Sequence, residues 1–287
     1  MTNSLWKKVL LSAGAVALLS ACGNGSDDSA NEGSGDTTDS ASEETTIKIG
    51  ATNTPHAEIL EFVKPILAEE GVDLEIITYT DYPLINQALD AGDLDANYFQ
   101  HVPYFDAEVE QFGYDFVNAG GIHIEPIAAY SQSIDRLEDL PEGAEVLVSS
   151  NASDYGRILE ILQDHDLIKV DESVNITDAT FDDIVENERN LDFQYDYAPD
   201  LMVQLYENNE GDVVFINSNF AVDNDLNPVE DSIAIQGEDS PYANIIAVRS
   251  EDAENEAIIK LVDELHSQET QDFILETWGG SVVPVSK

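Results

Sequence analysis

The sequence predicts an α/β protein of two lobes joined by two crossings, and three observations carry that prediction. From residue 46 onward, period-two and helix-period segments alternate as strand, helix, strand, helix, strand, the pattern of a parallel sheet. The same alternation restarts near Ala144 after a stretch punctuated by glycine and proline. A second such stretch near residue 240 runs into another strand and two helical segments.

Thr46–Ala51 alternates apolar residues as a strand, and Thr52-Asn53-Thr54-Pro55-His56 is a polar turn that starts a helix. Ile59, Leu60, Val63, Ile66 and Leu67 recur at helical spacing until Gly71. Val72–Tyr79 reads as the second strand. Thr80-Asp81-Tyr82-Pro83 then caps a short helix that ends near Gly92. Asp95–Tyr104 sets Tyr98, Phe99, Gln100 and His101 side by side where a strand stops and Pro103 opens the next helix. One alternating face cannot hold all four, so some of these groups are expected to face something other than core. Pro103–Phe112 reads as a helix, and Tyr114–Ala129 as an extended crossover. The second lobe follows with strand Ala144–Ser149, polar turn 150–154, helix Gly156–Leu167, a short helix near Phe181–Glu188, and strands Leu191–Tyr195 and Val213–Asn217. Ser240–Val248 is the return crossing. Ile258, Leu261, Val262 and Leu265 mark one face of the next helix, and Trp278-Gly279-Gly280 ends another. The expected division is 47–124 with 241–287 as lobe 1 and 125–240 as lobe 2. Two lobes with a cleft between them have the shape of a venus-flytrap binder.

The first residues carry an export signal. Lys7 and Lys8 precede an apolar run, Val9–Leu19, too short for a comfortable membrane span. Leu19-Ser20-Ala21-Cys22 resembles the bacterial lipoprotein signal. That likeness implies removal of residues 1–21 and a lipid anchor, such as palmitate, on Cys22. Cys22 is the only cysteine, which excludes disulfides and cysteine metal sites. Residues 23–46 hold almost nothing apolar and read as a disordered acidic tether, so that 22–46 links anchor to lobes. Its typical reach is about 27 Å.

The net charge of −48 falls to −50 when Lys7 and Lys8 are lost, and acids exceed bases throughout. Such a surface repels itself in dilute buffer. At about 1 M salt the Debye length is roughly 3 Å and the penalty fades, so a saline, halophile-type setting outside the cell is expected. Nucleic acid is excluded as a partner by the lack of a basic patch.

Three βα loops carry His56, Tyr82 and the Tyr98–His101 cluster, and ligands collect outside the carboxyl ends of parallel strands. Arg157 is one of nine lysines and arginines after the signal and lies in the first turn of a helix. A guanidinium beside free helix N–H groups makes a carboxylate receptor, and the competing reading is a surface arginine paired with Asp154 or Glu160. Asn217 and Asn244 close two strand candidates and offer amide oxygens to an ammonium group, or are ordinary turn asparagines. His56, His101 and His123 with one carboxylate could form a zinc site, although they lie on separate loops without i, i+4 pairing. No G-x-S-x-G elbow or metalloprotease helix motif is present, which argues against an enzyme.

Pro55-His56-Ala57-Glu58-Ile59-Leu60-Glu61-Phe62-Val63-Lys64-Pro65, Asp95–Tyr104, Gly120-Gly121-Ile122-His123-Ile124-Glu125-Pro126 and Ser240-Pro241-Tyr242-Ala243-Asn244 closely resemble the NlpA-type family, the methionine-binding lipoproteins of ABC importers. The resemblance spans about residues 46–287. It implies a periplasmic-binding-protein fold of type II and a non-enzymatic, cofactor-free receptor. Such a receptor passes methionine to an ABC permease from the outer face of the cell membrane. Carried over residue by residue, it puts a thioether among Tyr82, Phe99 and His101. Arg157 would lie on the ligand carboxylate, with Asn217 and Asn244 on the amino-acid polar groups. Two stretches depart from the family pattern. Tyr195–Asp200 replaces an alanine-rich segment with a glutamine and an arginine, and Ser149–Asp154 replaces a loop with proline and glycine. These departures leave open another small amino acid or a short peptide, and the histidines leave open zinc capture.

Overall fold

The computed structural model describes residues 45–237 and 240–286. The signal peptide, Cys22 and the tether as far as residue 44 lie outside the described residues. In chain order the first sheet receives β1 (Thr45–Ala51), β2 (Val72–Thr78), β3 (Ala96–His101) and β4 (Phe116–Ile124), interleaved with α1 (Glu58–Glu69), α2 (Tyr82–Asp90) and α3 (Val102–Phe112). Thr45 and Thr46, expected in the tether, already pair in β1.

The chain then crosses to β5 (Ala128–Tyr130), β6 (Glu145–Ser149), α4 (Tyr155–Asp164), β7 (Lys169–Val170), β8 (Ile184–Glu186), β9 (Asp192–Tyr197), α5 (Met202–Glu207), β10 (Val213–Ile216), α6 (Ser218–Asp223) and β11 (Ala234–Ile235). It returns as β12 (Ala243–Arg249), α7 (Glu256–Leu265), α8 (Gln268–Trp278) and β13 (Val283–Pro284). The six-stranded sheet has the order β13-β4-β12-β3-β1-β2, the five-stranded sheet β11-β5-β10-β6-β9, and β7 pairs with β8.

Register places the cleft. β1 runs parallel to β2 and β3, while β12 runs antiparallel to both β3 and β4. The carboxyl ends of β1, β3 and β4 therefore share one edge with the start of β12, and Asn244 lies level with His101 on one side and His123 on the other. In the second sheet β6, β9 and β10 are parallel, so the residues after Ser149 and Ile216 emerge from one edge as well.

β3 is central, and all six of its residues are buried. Alternation sends Tyr98 into the core formed with α1 and α7, and Phe99 into a second core under α2 and α3. The expectation that some of Tyr98–His101 face something other than core is met: Phe99, Gln100 and His101 also line the cavity between the sheets, and only Tyr98 is wholly core. The second sheet is likewise covered on both sides. Two sequence readings change. Phe181–Glu188 forms a single 3-10 turn and then β8, which pairs with β7. Asn244 lies at the start of β12 instead of closing a strand. α4 packs so tightly on the Ile176 carbonyl that a β-carbon at Gly156 would lie 2.1 Å from that oxygen, which is why glycine stands there.

Candidate functional site

The two carboxyl edges enclose a narrow cavity, about 350 Å³ when the open space at its mouth is counted. Tyr82, Phe99, His101, Arg157, Asn217 and Asn244 all line it, from five separate elements. One wall is aromatic. Tyr82 lies 5.6 Å from Phe99, 6.0 Å from Tyr104 and 5.2 Å from Phe220 of α6, ring centre to ring centre. Its hydroxyl donates to Asn219 Oδ1 at 2.7 Å, a bond from the first sheet's elements to the second's. Burial first, then the Glu125 and Asp154 charges, hold the Tyr82 phenol well above its usual pKa, so it remains a donor.

The opposite wall is organised by Asp154, which is fully buried at the start of α4. Its Oδ1 accepts from His101 Nε2 at 3.0 Å, from Arg157 Nε at 2.8 Å and from Arg157 Nη2. Its Oδ2 accepts from Asn151 Nδ2 at 2.7 Å and Asn217 Nδ2 at 3.0 Å. Burial alone would raise its pKa, but the Arg157 charge and the His101 bond outweigh it and keep the carboxylate ionised. His101 is fixed as well. Tyr104 N–H donates to Nδ1 at 3.1 Å, so the ring proton resides on Nε2 and points at Asp154. Burial pushes the His101 pKa down, which fits this neutral form.

Arg157 is buried, not a surface arginine, yet it does pair with Asp154 as the competing reading had it. Its guanidinium lies 4.9 Å from the centre of the Tyr242 ring, and Nη1 donates to the Glu125 carbonyl at 3.1 Å. One N–H on each terminal nitrogen remains for the cavity. Asn217 caps α6, and with its Nδ2 given to Asp154, its buried Oδ1 has no partner among the described residues. Asn244 is reversed: its Oδ1 accepts from His56 Nε2 at 3.1 Å, so the NH2 end remains. The two asparagines thus present opposite ends of the amide, where both had been expected to offer oxygen.

Sequence reading missed Glu125 and Asp154 as site groups, and did not single out Asn219. Glu125 had a legible signal: it is the one acid in Ile122–Ala129, a run otherwise apolar except for His123, and such a carboxylate demands partners. It is buried, lines the cavity and draws together His56 and His123, whose Nε2 atoms lie 3.1 and 2.8 Å from its Oε1. The ligand atoms of these three groups lie within 4.8 Å of one another, a donor set that a divalent metal could use. His101 is not part of it, so the expected three-histidine arrangement does not form.

A broader groove of about 460 Å³ adjoins the cavity, sharing Tyr82, Tyr104 and Asn151 with it. Both segments that depart from the family pattern reach it: Ser150–Ser153 from one side and Ala198–Asp200 from another. Tyr195 instead stacks on Phe181 at 5.3 Å, away from the cavity.

Residues 47–286 match the family model described as NlpA lipoprotein. A methionine-binding lipoprotein MetQ of Bacillus subtilis is 44% identical over 243 residues, 84% of this chain and 88% of that one. Among crystal structures, a pheromone cOB1 precursor/lipoprotein of the YaeC family from Enterococcus faecalis is 55% identical. It superposes with a TM-score of 0.82 over 84% of this chain and 100% of that one. A nutrient binding protein from Burkholderia cenocepacia bound to methionine is 38% identical, with a TM-score of 0.78 over 83% of this chain and 99% of that one. With this match across both sheets, the chain belongs to the NlpA lipoprotein family.

Proposed function

We propose that this protein is a lipid-anchored, non-enzymatic receptor that captures one free amino acid, methionine, in the cavity and delivers it to an ABC permease on the outer face of the cell membrane. The carrying observation is the division of the cavity into an aromatic wall and a polar wall with donors and acceptors in excess. A ligand carboxylate fits the remaining Arg157 N–H groups and the Asn244 amide NH2. A ligand ammonium fits the unpartnered Asn217 Oδ1 and the Glu125 carboxylate. The thioether fits among Tyr82, Phe99, Tyr104 and His101.

Burying a methionine side chain contributes about 1.5–3 kcal/mol, sulfur against aromatic rings about 0.3–1.5 kcal/mol, and each charge-assisted hydrogen bond about 1.5–3 kcal/mol. Because the ligand would touch both walls, it favours the closed arrangement of the lobes, and the permease reads that arrangement. Cys22 and the tether would keep the receptor near the membrane without fixing its orientation. The adjoining groove supports a second reading, a ligand longer than one amino acid, such as a short peptide.

Isothermal titration of residues 45–287 with L-methionine, D-methionine and a methionine dipeptide separates these readings. One-to-one binding of free methionine with micromolar or tighter affinity supports the first. Binding of the dipeptide alone transfers the role to the groove, and indifference to all three refutes both.

A further inference from the structure

Behind the polar wall lies a network of buried polar groups, of which only Glu125 lines the cavity. Thr52 Oγ1 lies 2.7 Å from His56 Nδ1, and His56 Nε2 lies 3.1 Å from Glu125 Oε1. On the other side His123 Nε2 lies 2.8 Å from the same Oε1, and His123 Nδ1 meets the Tyr98 hydroxyl. All five residues are buried. They come from the turn after β1, from β3, from β4 and from the crossing between lobes.

The protons in this chain can be assigned from chemistry. His56 Nε2 faces two acceptors, Asn244 Oδ1 and the Glu125 carboxylate, so it carries the hydrogen. Its Nδ1 must then accept from the Thr52 hydroxyl. His123 Nε2 faces the same carboxylate oxygen and donates to it, which leaves Nδ1 to accept from Tyr98. Oε1 of Glu125 accepts from His123 and has the His56 N–H, bonded to Asn244, 3.1 Å away, so Oε1 carries no proton itself. Glu125 also accepts from the Asn219 backbone N–H, and these contacts favour the ionised form against the burial that raises its pKa. Both imidazoles are neutral, in keeping with the lowering of their pKa values by burial.

We propose that Thr52, His56, His123 and Tyr98 are positioning residues that fix both imidazoles as Nε2–H tautomers. They thereby clamp Glu125 as a carboxylate aimed at the ligand's ammonium group, so that the site discriminates a free α-ammonium from an acylated one. This rests on the amino-acid reading above and deepens it. The clamp leaves Glu125 with one lone anionic face toward the cavity, and Asp154 is already neutralised by Arg157. A ligand without positive charge would bury that face unpaired, a severe penalty in a closed site. The same donor set could be thought of as a metal centre. Each imidazole nitrogen already has a partner in a hydroxyl, amide or carboxylate at hydrogen-bond distance, which favours the clamp.

The test compares L-methionine with N-acetyl-L-methionine, which lacks the ammonium, in titrations of residues 45–287 and of Tyr98→Phe, Thr52→Val and the double variant. Each substitution deletes one hydroxyl and keeps the buried shape, and circular dichroism checks folding. The wild-type domain is expected to prefer methionine. The double variant is expected to lose roughly tenfold of that preference, on the scale of one hydrogen bond to a charged group. N-acetylmethionine affinity should change less than about twofold. If both ligands weaken by one common factor, the hydroxyls are merely structural and the proposal is overturned. It is also overturned if methionine binding requires added zinc and disappears with a chelator. Nitrogen NMR of 15N-histidine domain adds a readout that packing alone would not move: His56 and His123 are expected as Nε2–H tautomers, and Nδ1–H would refute the clamp. A wild type that binds neither compound overturns the amino-acid reading and the clamp with it. A wild type that binds methionine while the variants retain its full preference overturns the clamp alone.

Discussion

Replacing Arg157 with alanine tests the polar wall most severely. Asp154 is fully buried, and Arg157 is the only cation that contacts it among the described residues. Without the guanidinium the carboxylate retains the His101 N–H and two amide N–H groups but no compensating charge. Breaking a buried pair by removing one partner costs about 3–5 kcal/mol. In a domain of this size each kcal/mol lowers Tm by roughly 2–4 °C, so the expected drop is roughly 6–20 °C. The assay is a circular-dichroism melt of ligand-free protein in high salt. Asp154→Asn added to Arg157→Ala removes the stranded charge and should recover several degrees. A single variant that melts within about 2 °C of wild type would refute the reasoning, because a desolvated carboxylate cannot lose its cation that cheaply. Any loss of ligand affinity is best read in the double variant, where it is separated from the stability cost.

Other expectations follow from the same structure. Burial pushes His56 down to about 4 and His123 to about 3, whereas both titrate near 6.5 when unfolded. Their folded forms therefore refuse protons that the unfolded chain accepts. Stability is full above about pH 6.5 and falls as pH drops toward 4, by up to about 3 kcal/mol for His56 alone. Melts at 2 M salt across that range check this, with repulsion between carboxylates screened. Gly156→Ala should destabilise by about 2 kcal/mol or more, since the new carbon meets the Ile176 carbonyl, and a melt within a degree of wild type would contradict it. With a net charge of −48, Tm should rise between 0.1 and 2 M potassium chloride, and a flat or falling Tm would remove the saline-setting argument.

The order of strands and helices was legible because alternation and helical spacing are local properties. β1, α1, β2, α2 and α3 start and stop within a few residues of where glycine, proline and capping residues put them. The six residues picked for the site do line one cavity. What escaped was long-range. No local pattern says that β3 is central and covered on both faces, which is what buries Tyr98 and Phe99 in different cores. Asp154 and Glu125 each acquire their meaning from partners brought in by the two crossings. His101 reaches Asp154 across 53 residues, and His56 reaches Asn244 across 188. The end of an asparagine amide that faces the cavity is likewise decided by such partners, which is why Asn244 presents NH2 rather than oxygen.

The central claim is that the cavity is built for one free amino acid, and native mass spectrometry of residues 45–287 tests it most directly. Protein purified from saline buffer and titrated with L-methionine is expected to gain the mass of one methionine per chain and saturate. Unchanged mass at millimolar methionine, or a tightly held zinc mass in its place, would contradict the account.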